Sequence, residues 1–157
     1  LGYLQLFCSR LYKQVSILFF MVNFYLDTSI WLDLFENRNE PNFPKCENAK
    51  KLIAKIIQDN NRIIVSNNNF FELITLGYTK YEIKLSLNQF GRTIYYVWST
   101  GKQFRKAKDL ALKRNVPKRD ALHALIARDN KAILITLDKH FQNLIDIVKI
   151  KQPRDFI

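Results

Sequence analysis

Four acidic residues that are far apart in the sequence share one feature: each stands just after a predicted strand or in the first turns of a predicted helix. These residues are Asp27, Glu72, Asp120 and Asp138. In an open parallel sheet, the carboxyl ends of the strands lie along one edge, and a helix that leads straight into a parallel strand begins at that same edge. Chain direction alone therefore predicts that the four carboxylates lie close together.

Clustered carboxylates repel one another, and their pKa values rise unless a cation neutralises them. Oxygen ligands of this kind suit Mg²⁺ or Mn²⁺ rather than zinc. One or two such ions would lower the pKa of a bound water and stabilise the charge that develops on a phosphate and its leaving oxygen. We expect Asp27 and Asp120 to bind metal directly, with Glu72 and Asp138 completing the shell or acting through water.

Each acid also has an ordinary structural explanation. Asp27 could cap the helix that follows it, although Thr28 and Ser29 are equally able to cap that helix. For a single acid, such an explanation is favoured over metal binding. Four acids at one edge reverse that preference, and the capping role is then expected to pass to Thr28 or Ser29.

The same choice exists for the other three acids. Glu72 stands three residues after Asn69, which is the spacing of a capping box. Asp138 could cap the helical stretch that begins at Lys139, and Asp120 could complement a helix dipole. Only their joint position at the sheet edge distinguishes a metal site from three separate helix ends.

Three further side chains are expected beside the acids. Thr136 stands two residues before Asp138, so its hydroxyl should lie at the same edge, free to orient a carboxylate or a metal-bound water. Lys118 and Arg119 occupy the first turn of a helix, where positive charge opposes the macrodipole. Departures from a local preference often mark functional sites, and these two cations could hold a substrate phosphate.

The strongest compositional feature is the net charge of +11, with lysine and arginine densest between Lys102 and Arg119. A charge of this size favours a polyanionic partner such as nucleic acid or an anionic membrane face. A solvated surface without a polyanionic partner is the alternative that composition leaves open.

Several other classes of function are excluded or disfavoured. The chain has four glycines, no glycine-rich phosphate loop and no G-x-S-x-G nucleophile motif. Cys8 and Cys46 are too few for a disulfide framework and lack metal-ligand spacing, which favours a reducing, cytoplasmic location. His123 could neighbour the site, but a histidine on an alanine-rich helix is more often structural, and His140 is expected at the surface.

The order of the apolar segments predicts an α/β fold. Strands that are apolar on both faces alternate with helices, which is typical of a parallel sheet covered on both sides. We predict a three-layer sandwich around a central parallel sheet of four or five strands. The predicted strands cover residues 22–26, 62–66, 93–98, 132–136 and 147–150. The predicted helical segments cover residues 29–36, 45–59, 67–79, a stretch that runs to 90, 101–115, a helix that starts at 117, and 139–145.

Residues 1–20 form an apolar and basic extension before the first convincing strand. The only methionine is Met21, and no small-residue cleavage site of a signal peptide precedes the domain. We expect Met21 to be the biological start and residues 21–157 to form a single domain. The apolar run at 15–26 is broken by polar residues and too short to span a bilayer, so no membrane association is expected.

Four segments, in this order, resemble a PIN domain, and most closely the VapC-type ribonuclease toxins: "YLDTSIWLDLF", "SNNNFFEL", "KRDALHALIA" and "ITLDKHF". The resemblance runs from residue 22 to about residue 157. It implies a metal-dependent ribonuclease whose acidic quartet falls on the four acids above, with supporting hydroxyls at Thr28 or Ser29 and at Thr136. It also implies a homodimer and a small antitoxin whose C-terminal segment lies over the acidic site.

RNA is then the expected polyanion, and in-line attack would leave a 5′-phosphate and a 3′-hydroxyl. Because phosphate contacts are electrostatic, activity should fall as salt rises. The cations expected to contact the RNA backbone are Lys102, Arg105, Lys106, Lys118 and Arg119.

Two other functions compete with a toxin ribonuclease. One is a housekeeping RNA-processing nuclease of the same family. The other is a non-catalytic RNA-binding module, or a phosphoacceptor domain similar to response-regulator receivers. A receiver requires paired acids near the start and a lysine after a late strand, which would leave Glu72 and Asp120 unexplained.

Overall fold

A single parallel sheet organises the computed structural model, which describes residues 21–157. The predicted extension, residues 1–20, lies outside the described residues. The strands are β1 (Asn23–Leu26), β2 (Arg62–Ser66), β3 (Ile94–Val97), β4 (Ala132–Ile135) and β5 (Ile150–Lys151). Their spatial order is β3-β2-β1-β4-β5, and every neighbouring pair is parallel. The sheet therefore has its first strand at the centre.

Helices connect the strands and cover both faces of the sheet. They are α1 (Thr28–Phe35), α2 (Lys45–Gln58), α3 (Asn67–Thr75), α4 (Lys80–Asn88), α5 (Gly101–Arg114) and α6 (Lys118–Asp129). Short 3₁₀ segments cover Gly91–Thr93, Lys139–Leu144 and Pro153–Phe156. No helix among residues 21–157 is long and apolar enough to cross a membrane.

Alternate residues of the central strands enter two separate cores. On β1, Phe24 and Leu26 pack in one core with residues of α1, α2 and α4, whereas Tyr25 packs in the other core with residues of α5 and α6. On β2, Ile63 and Ile64 divide in the same way. Because side chains alternate across a strand, a strand with apolar residues at every position is buried on both faces. The predicted three-layer α/β sandwich is confirmed, with five strands.

The register of the sheet fixes where the site can form. Leu26, the last residue of β1, is paired with Ile135, the last residue of β4. The backbone N–H of Asp27 donates to the carbonyl of Ile135 at 2.9 Å. Because these strands end level with each other, the residues that follow them emerge at the same edge of the sheet.

Two predicted elements differ from the structure. The helix predicted for 67–79 ends at Thr75, because Gly77 adopts a φ of +104° and Thr79 caps a new helix, α4, through a capping box with Glu82. Glycine adopts a positive φ without the steric cost that a side chain brings. The last strand was predicted at 147–150 but covers Ile150–Lys151, because the backbone N–H groups of residues 147 and 148 turn back to the carbonyl of Leu144.

Candidate active site

The four predicted acids lie at the carboxyl edge of the sheet in two adjoining groups. One group contains Asp27, Glu72 and His123, and the other contains Asp120, Asp138 and His140. Within each group, one ligand atom from every residue lies within 4.8 Å of the others. Among residues 21–157, the quartet is therefore divided between two triplets, each with a histidine.

Asp27 follows β1 and occupies the N-cap position of α1, but its side chain does not cap the helix. Its Oδ2 accepts hydrogen bonds from Ser29 Oγ at 2.7 Å and from Thr136 Oγ1 at 3.0 Å. Its Oδ1 accepts no hydrogen bond from residues 21–157, although the side chain is largely buried. The prediction that Thr28 or Ser29 caps α1 is wrong, because both hydroxyls donate to acids instead.

Glu72 is not part of a capping box. The N-cap of α3 is Ser66, and its partner in the box is Asn69. Glu72 Oε2 instead accepts hydrogen bonds from Thr28 Oγ1 and from His123 Nε2, the latter at 2.9 Å. Glu72 therefore does not have the helix-capping role that its spacing from Asn69 suggested.

Six side chains form a closed ring of hydrogen bonds, hereafter the Glu72 ring. Its members are Glu72, Thr28, Asn69, Ser66, Tyr25 and His123. Asn69 Nδ2 donates to Thr28 Oγ1 at 3.2 Å, and Ser66 Oγ donates to Asn69 Oδ1 at 3.1 Å. The Tyr25 hydroxyl lies 2.6 Å from both Ser66 Oγ and His123 Nδ1. His123 Nε2 closes the ring at Glu72.

Each hydrogen bond of this ring has one donor and one acceptor when both ring nitrogens of His123 carry a proton. Burial by itself would lower the pKa of His123, but the hydrogen bond to Glu72 and the charges of Glu72, Asp27 and Asp120 raise it above its ordinary value. Burial by itself would raise the pKa of Glu72, but the hydrogen bond and charge of His123, with the Thr28 hydroxyl, lower it. Both shifts favour an ionised Glu72 against a protonated His123.

Asp120 differs from Asp27 and Glu72, because no side chain of residues 21–157 donates a hydrogen bond to it. Burial, followed by the charges of Asp138 and Asp27, raises the pKa of Asp120 from 3.8 to about 6. Its Oδ2 is buried and has no hydrogen-bond partner among residues 21–157, and His140 Nδ1 lies 3.7 Å away. A buried carboxylate oxygen without a donor is unfavourable, so this atom is suited to a cation.

Asp138 retains the structural role that the sequence offered for it. Its Oδ1 accepts from the backbone N–H of His140 at 2.8 Å and thereby caps the 3₁₀ segment at 139–144. Its backbone N–H donates to Thr136 Oγ1 at 3.0 Å. His140 is exposed, as predicted, yet its Nδ1 lies 3.2 Å from Asp138 Oδ1. Asp138 is the most solvent-accessible of the four acids.

The predicted phosphate contacts lie in two places. Lys118 and Arg119 stand exposed at the start of α6, next to Asp120 in the chain. Lys118 Nζ lies 6.0 Å from the centre of the Phe104 ring, and the Arg119 guanidinium lies 5.3 Å from that of Phe71. The other three are exposed on the first turns of α5: Lys102, Arg105 and Lys106.

Sequence reasoning missed much of the Glu72 ring. His123 was assigned a structural role, whereas it is buried and hydrogen-bonded to a predicted catalytic acid. The sequence did contain a signal for His123: it stands three residues after Asp120, and residues with this spacing lie on the same face of a helix. Tyr25 offered no signal, since an aromatic residue inside a buried strand is ordinarily part of the core.

The fold and the site define a parallel α/β protein with acidic side chains gathered at the carboxyl edge of its sheet. Residues 24–146 match the PIN domain family model. The chain belongs to the PIN domain family, whose members are nucleases.

Solved structures with a similar fold include toxin–antitoxin proteins. VapBC-1 from nontypeable Haemophilus influenzae superposes with a TM-score of 0.59 at 23% identity, covering 85% of this chain and 99% of that one. VapBC2 from Rickettsia felis, bound to a DNA fragment from its promoter, gives 0.56 at 18% identity, covering 83% and 98%. A toxin–antitoxin complex from Klebsiella pneumoniae gives 0.56 at 20% identity, covering 83% and 97%. No curated protein sequence matches the chain.

The raised pKa of Asp120 predicts an unusual stability profile for the metal-free protein. Because the folded state holds the Asp120 proton more tightly than the unfolded chain, the ionised carboxylate destabilises the fold increasingly as pH rises from 4 through 6. Asp120→Asn should therefore raise the free energy of unfolding at pH 7.5 by on the order of 1–3 kcal/mol, with a smaller gain at pH 4.5. Urea unfolding in EDTA at both pH values measures the difference.

Asp109→Asn is the control for this experiment, since Asp109 is exposed on α5. It should change the free energy of unfolding by less than about 0.5 kcal/mol at either pH. A destabilised Asp120→Asn protein at pH 7.5 would show that the Asp120 carboxylate is satisfied in the fold.

The Glu72 ring predicts that Tyr25→Phe weakens metal binding without unfolding the protein. The substitution keeps the buried ring of Tyr25 but removes the hydroxyl that links Ser66 to His123. Groups bonded directly to a metal ligand are typically worth about 10- to 100-fold in metal affinity, and the Tyr25 hydroxyl acts one contact further back, through His123, so its effect should lie at the low end of this range. Titration with Mn²⁺ should show a loss of about tenfold. Tyr78→Phe, which removes a hydroxyl bonded to Glu36 away from the site, should bind Mn²⁺ like the wild type. Equal affinity of the Tyr25→Phe and Tyr78→Phe proteins would contradict the role of the ring.

Proposed function

We propose that this protein is an endoribonuclease that depends on Mg²⁺ or Mn²⁺, and that it is the toxin of a toxin–antitoxin pair. The observation that carries the proposal is that acids from α3, α6 and the segments after β1 and β4 meet at one edge, where the buried Asp120 Oδ2 has no hydrogen-bond partner among the described residues. Such an arrangement is unfavourable for the stability of the fold, because it places like charges beside one another.

The residues present suit one or two divalent cations. Asp27 Oδ1 and the buried Asp120 Oδ2 accept no hydrogen bond within residues 21–157. Oxygen donors of this kind are preferred by Mg²⁺ and Mn²⁺. The ligands would be Asp27 and Asp120 directly, with Glu72 and Asp138 completing the shell or acting through water. When bound, such an ion lowers the pKa of a coordinated water and stabilises negative charge on a phosphate.

The surrounding side chains hold the acids in place. Ser29 and Thr136 both donate to Asp27 Oδ2, which orients the carboxylate and directs its other oxygen away from them. Thr28 and His123 do the same for Glu72 Oε2. Ligands whose rotamers are fixed by second hydrogen bonds bind metal with less loss of conformational freedom.

The charge of the chain favours a nucleic-acid substrate, and the resemblance to VapC-type ribonucleases implies that this nucleic acid is RNA. With a net charge of +11, the protein attracts polyanions, and a phosphodiester backbone brings one negative charge per nucleotide. Lys118 and Arg119 stand next to Asp120 and can hold the phosphate that enters the site. Lys102, Arg105 and Lys106 would extend this contact along the strand.

The toxin role rests on the likeness to toxin–antitoxin structures together with PIN domain membership. An antitoxin would cover the acidic site, and the nuclease would act as a homodimer. An RNA-processing enzyme would use the same site without an antitoxin. Growth arrest when the protein is expressed, relieved by the product of an adjacent gene, separates the toxin from the processing enzyme.

Cleavage of mixed RNA in Mn²⁺, in EDTA and with two variants tests the proposed chemistry. Asp27→Asn and Asp120→Asn each remove a proposed metal ligand and should lower the cleavage rate by about a hundredfold or more. EDTA should abolish cleavage, and added Mn²⁺ should restore it. Asp109→Asn, on the exposed face of α5, should leave the rate unchanged.

Two results would contradict this account. Cleavage that persists in EDTA or in both variants would exclude the metal mechanism. Binding of RNA without cleavage in the presence of metal would favour a non-catalytic RNA-binding module.

A further inference from the structure

His140 stands at the solvent side of the acidic edge. It follows β4, which β1 separates from β2 and β3, and it lies in the first turn of the 3₁₀ segment at 139–144. Its Nδ1 lies 3.2 Å from Asp138 Oδ1 and 3.7 Å from Asp120 Oδ2. The proposed ribonuclease chemistry uses these two acids and assigns no role to the imidazole beside them.

The local fold fixes His140 in this place. Its backbone N–H donates to Asp138 Oδ1 at 2.8 Å, and the backbone N–H of Asp138 donates to Thr136 Oγ1 at 3.0 Å. Thr136 Oγ1 in turn donates to Asp27 Oδ2. Phe141, the next residue in the chain, is buried in the core beneath the segment. The position of His140 is therefore set by the same hydrogen bonds that orient Asp27.

The two histidines of the chain differ in what their ring nitrogens can do. In His123, Nδ1 lies 2.6 Å from the Tyr25 hydroxyl and Nε2 lies 2.9 Å from Glu72 Oε2, so both nitrogens are engaged. The ring nitrogens of His140 form no hydrogen bond within residues 21–157, and its side chain is 60% exposed. Binding to a metal requires a free nitrogen lone pair. His140 can offer one, whereas His123 cannot.

The separations within the group of Asp120, Asp138 and His140 suit three ligands of one ion. Histidine nitrogens and carboxylate oxygens bind Zn²⁺ at about 2.0–2.2 Å, so two ligands of one tetrahedral ion are about 3.3–3.6 Å apart. The observed separations from His140 Nδ1, 3.2 and 3.7 Å, are close to this range. The buried Asp120 Oδ2 has no hydrogen-bond partner among the described residues, which leaves it free for the same ion.

A nitrogen ligand changes which ion is preferred. Mg²⁺ takes oxygen ligands and gives up its waters reluctantly, whereas imidazole suits first-row transition cations. Two carboxylates and one imidazole make three protein ligands, a number that leaves a coordination position open for water or a phosphate oxygen. Asp138 and His140 are partly exposed, so this open position would face solvent. Asp27 and Asp120, by contrast, offer oxygen alone.

We propose that His140 Nδ1 is a metal ligand and that, with Asp120 and Asp138, it forms a position selective for a first-row transition cation over Mg²⁺. This inference rests on the proposed metal-dependent function and specifies the ion that the site takes. It adds a nitrogen ligand to the four acids and makes the acidic edge unequal: the oxygen ligands at Asp27 accept Mg²⁺ or Mn²⁺, and the group with His140 discriminates between ions.

Calorimetric titration of the full-length protein with Co²⁺ and, separately, with Mg²⁺ tests the selectivity without RNA. The protein carries no polyhistidine tag, and the buffer contains no imidazole. His140→Asn exchanges the nitrogen donor for an amide oxygen attached at the same carbon. It should lower Co²⁺ affinity about tenfold or more and leave Mg²⁺ affinity within about twofold of wild type. His140→Ala, which offers no donor, should lower Co²⁺ affinity at least as much. The matched control is Gln142→Ala, exposed on the same 3₁₀ segment, which should bind both ions like the wild type.

Pulsed electron paramagnetic resonance of the protein with bound Mn²⁺ gives a second readout. The method detects magnetic coupling between the ion and a nitrogen bound directly to it. The wild type and Gln142→Ala should show coupling to an imidazole nitrogen, and His140→Asn should lack it. An imidazole that only forms an ion pair with Asp138 would give no such coupling in any of the three proteins.

Two results would overturn the proposal. One is the same ratio of Co²⁺ to Mg²⁺ affinity in the wild type and in His140→Asn. The other is the absence of nitrogen coupling from the wild type, or coupling that persists in His140→Asn. RNA cleavage alongside either result would leave the nuclease function standing. Coupling that depends on His140 in a protein that cleaves no RNA with any metal would instead defeat the nuclease function alone.

Discussion

The Glu72 ring is the interaction on which the rest of the site depends. It joins side chains from β1, β2, α1, α3 and α6, and therefore ties both faces of the sheet to one carboxylate. Hydrogen bonds to a charged group contribute about 1.5–3 kcal/mol each. Two such donors, Thr28 and His123, offset the desolvation of Glu72 and fix its position relative to Asp27.

The second half of the site is built differently. Asp120 lies opposite these well-supported acids with a buried oxygen and no donor among the described residues, and its pKa is raised to about 6. Asp138 lies further toward solvent beside His140. The site thus combines Glu72, which two donors hold in place, with Asp120, whose buried Oδ2 has no donor among the described residues. Proteins commonly give up stability in this way where function requires it.

The parallel sheet and the position of the four acids at its edge could be predicted from the sequence. Strands apolar on both faces predict a covered parallel sheet, and the direction of its strands places Asp27, Glu72, Asp120 and Asp138 at one edge. The positions of these acids depend on backbone topology, which hydrophobic periodicity specifies well.

The details that sequence reasoning missed depend on side-chain directions in three dimensions. Whether Asp27 caps α1 or accepts from Ser29 and Thr136 is decided by a rotamer and by a strand 109 residues away. Tyr25 and His123 meet only because β1 and α6 pack against each other, and no local pattern encodes that contact. Helix ends posed a similar difficulty, since the helix predicted for 67–79 ends at Thr75, before Gly77, and Thr79 caps the next helix.

The central claim is that the acids at the sheet edge bind a divalent cation. Anomalous diffraction from crystals grown with Mn²⁺ tests this claim most directly, because it locates the ion without reference to activity. We predict an anomalous peak within direct coordination distance of Asp27 and Asp120 and absent from crystals of Asp120→Asn. Mn²⁺ bound only elsewhere, or an empty acidic edge at saturating Mn²⁺, would contradict it.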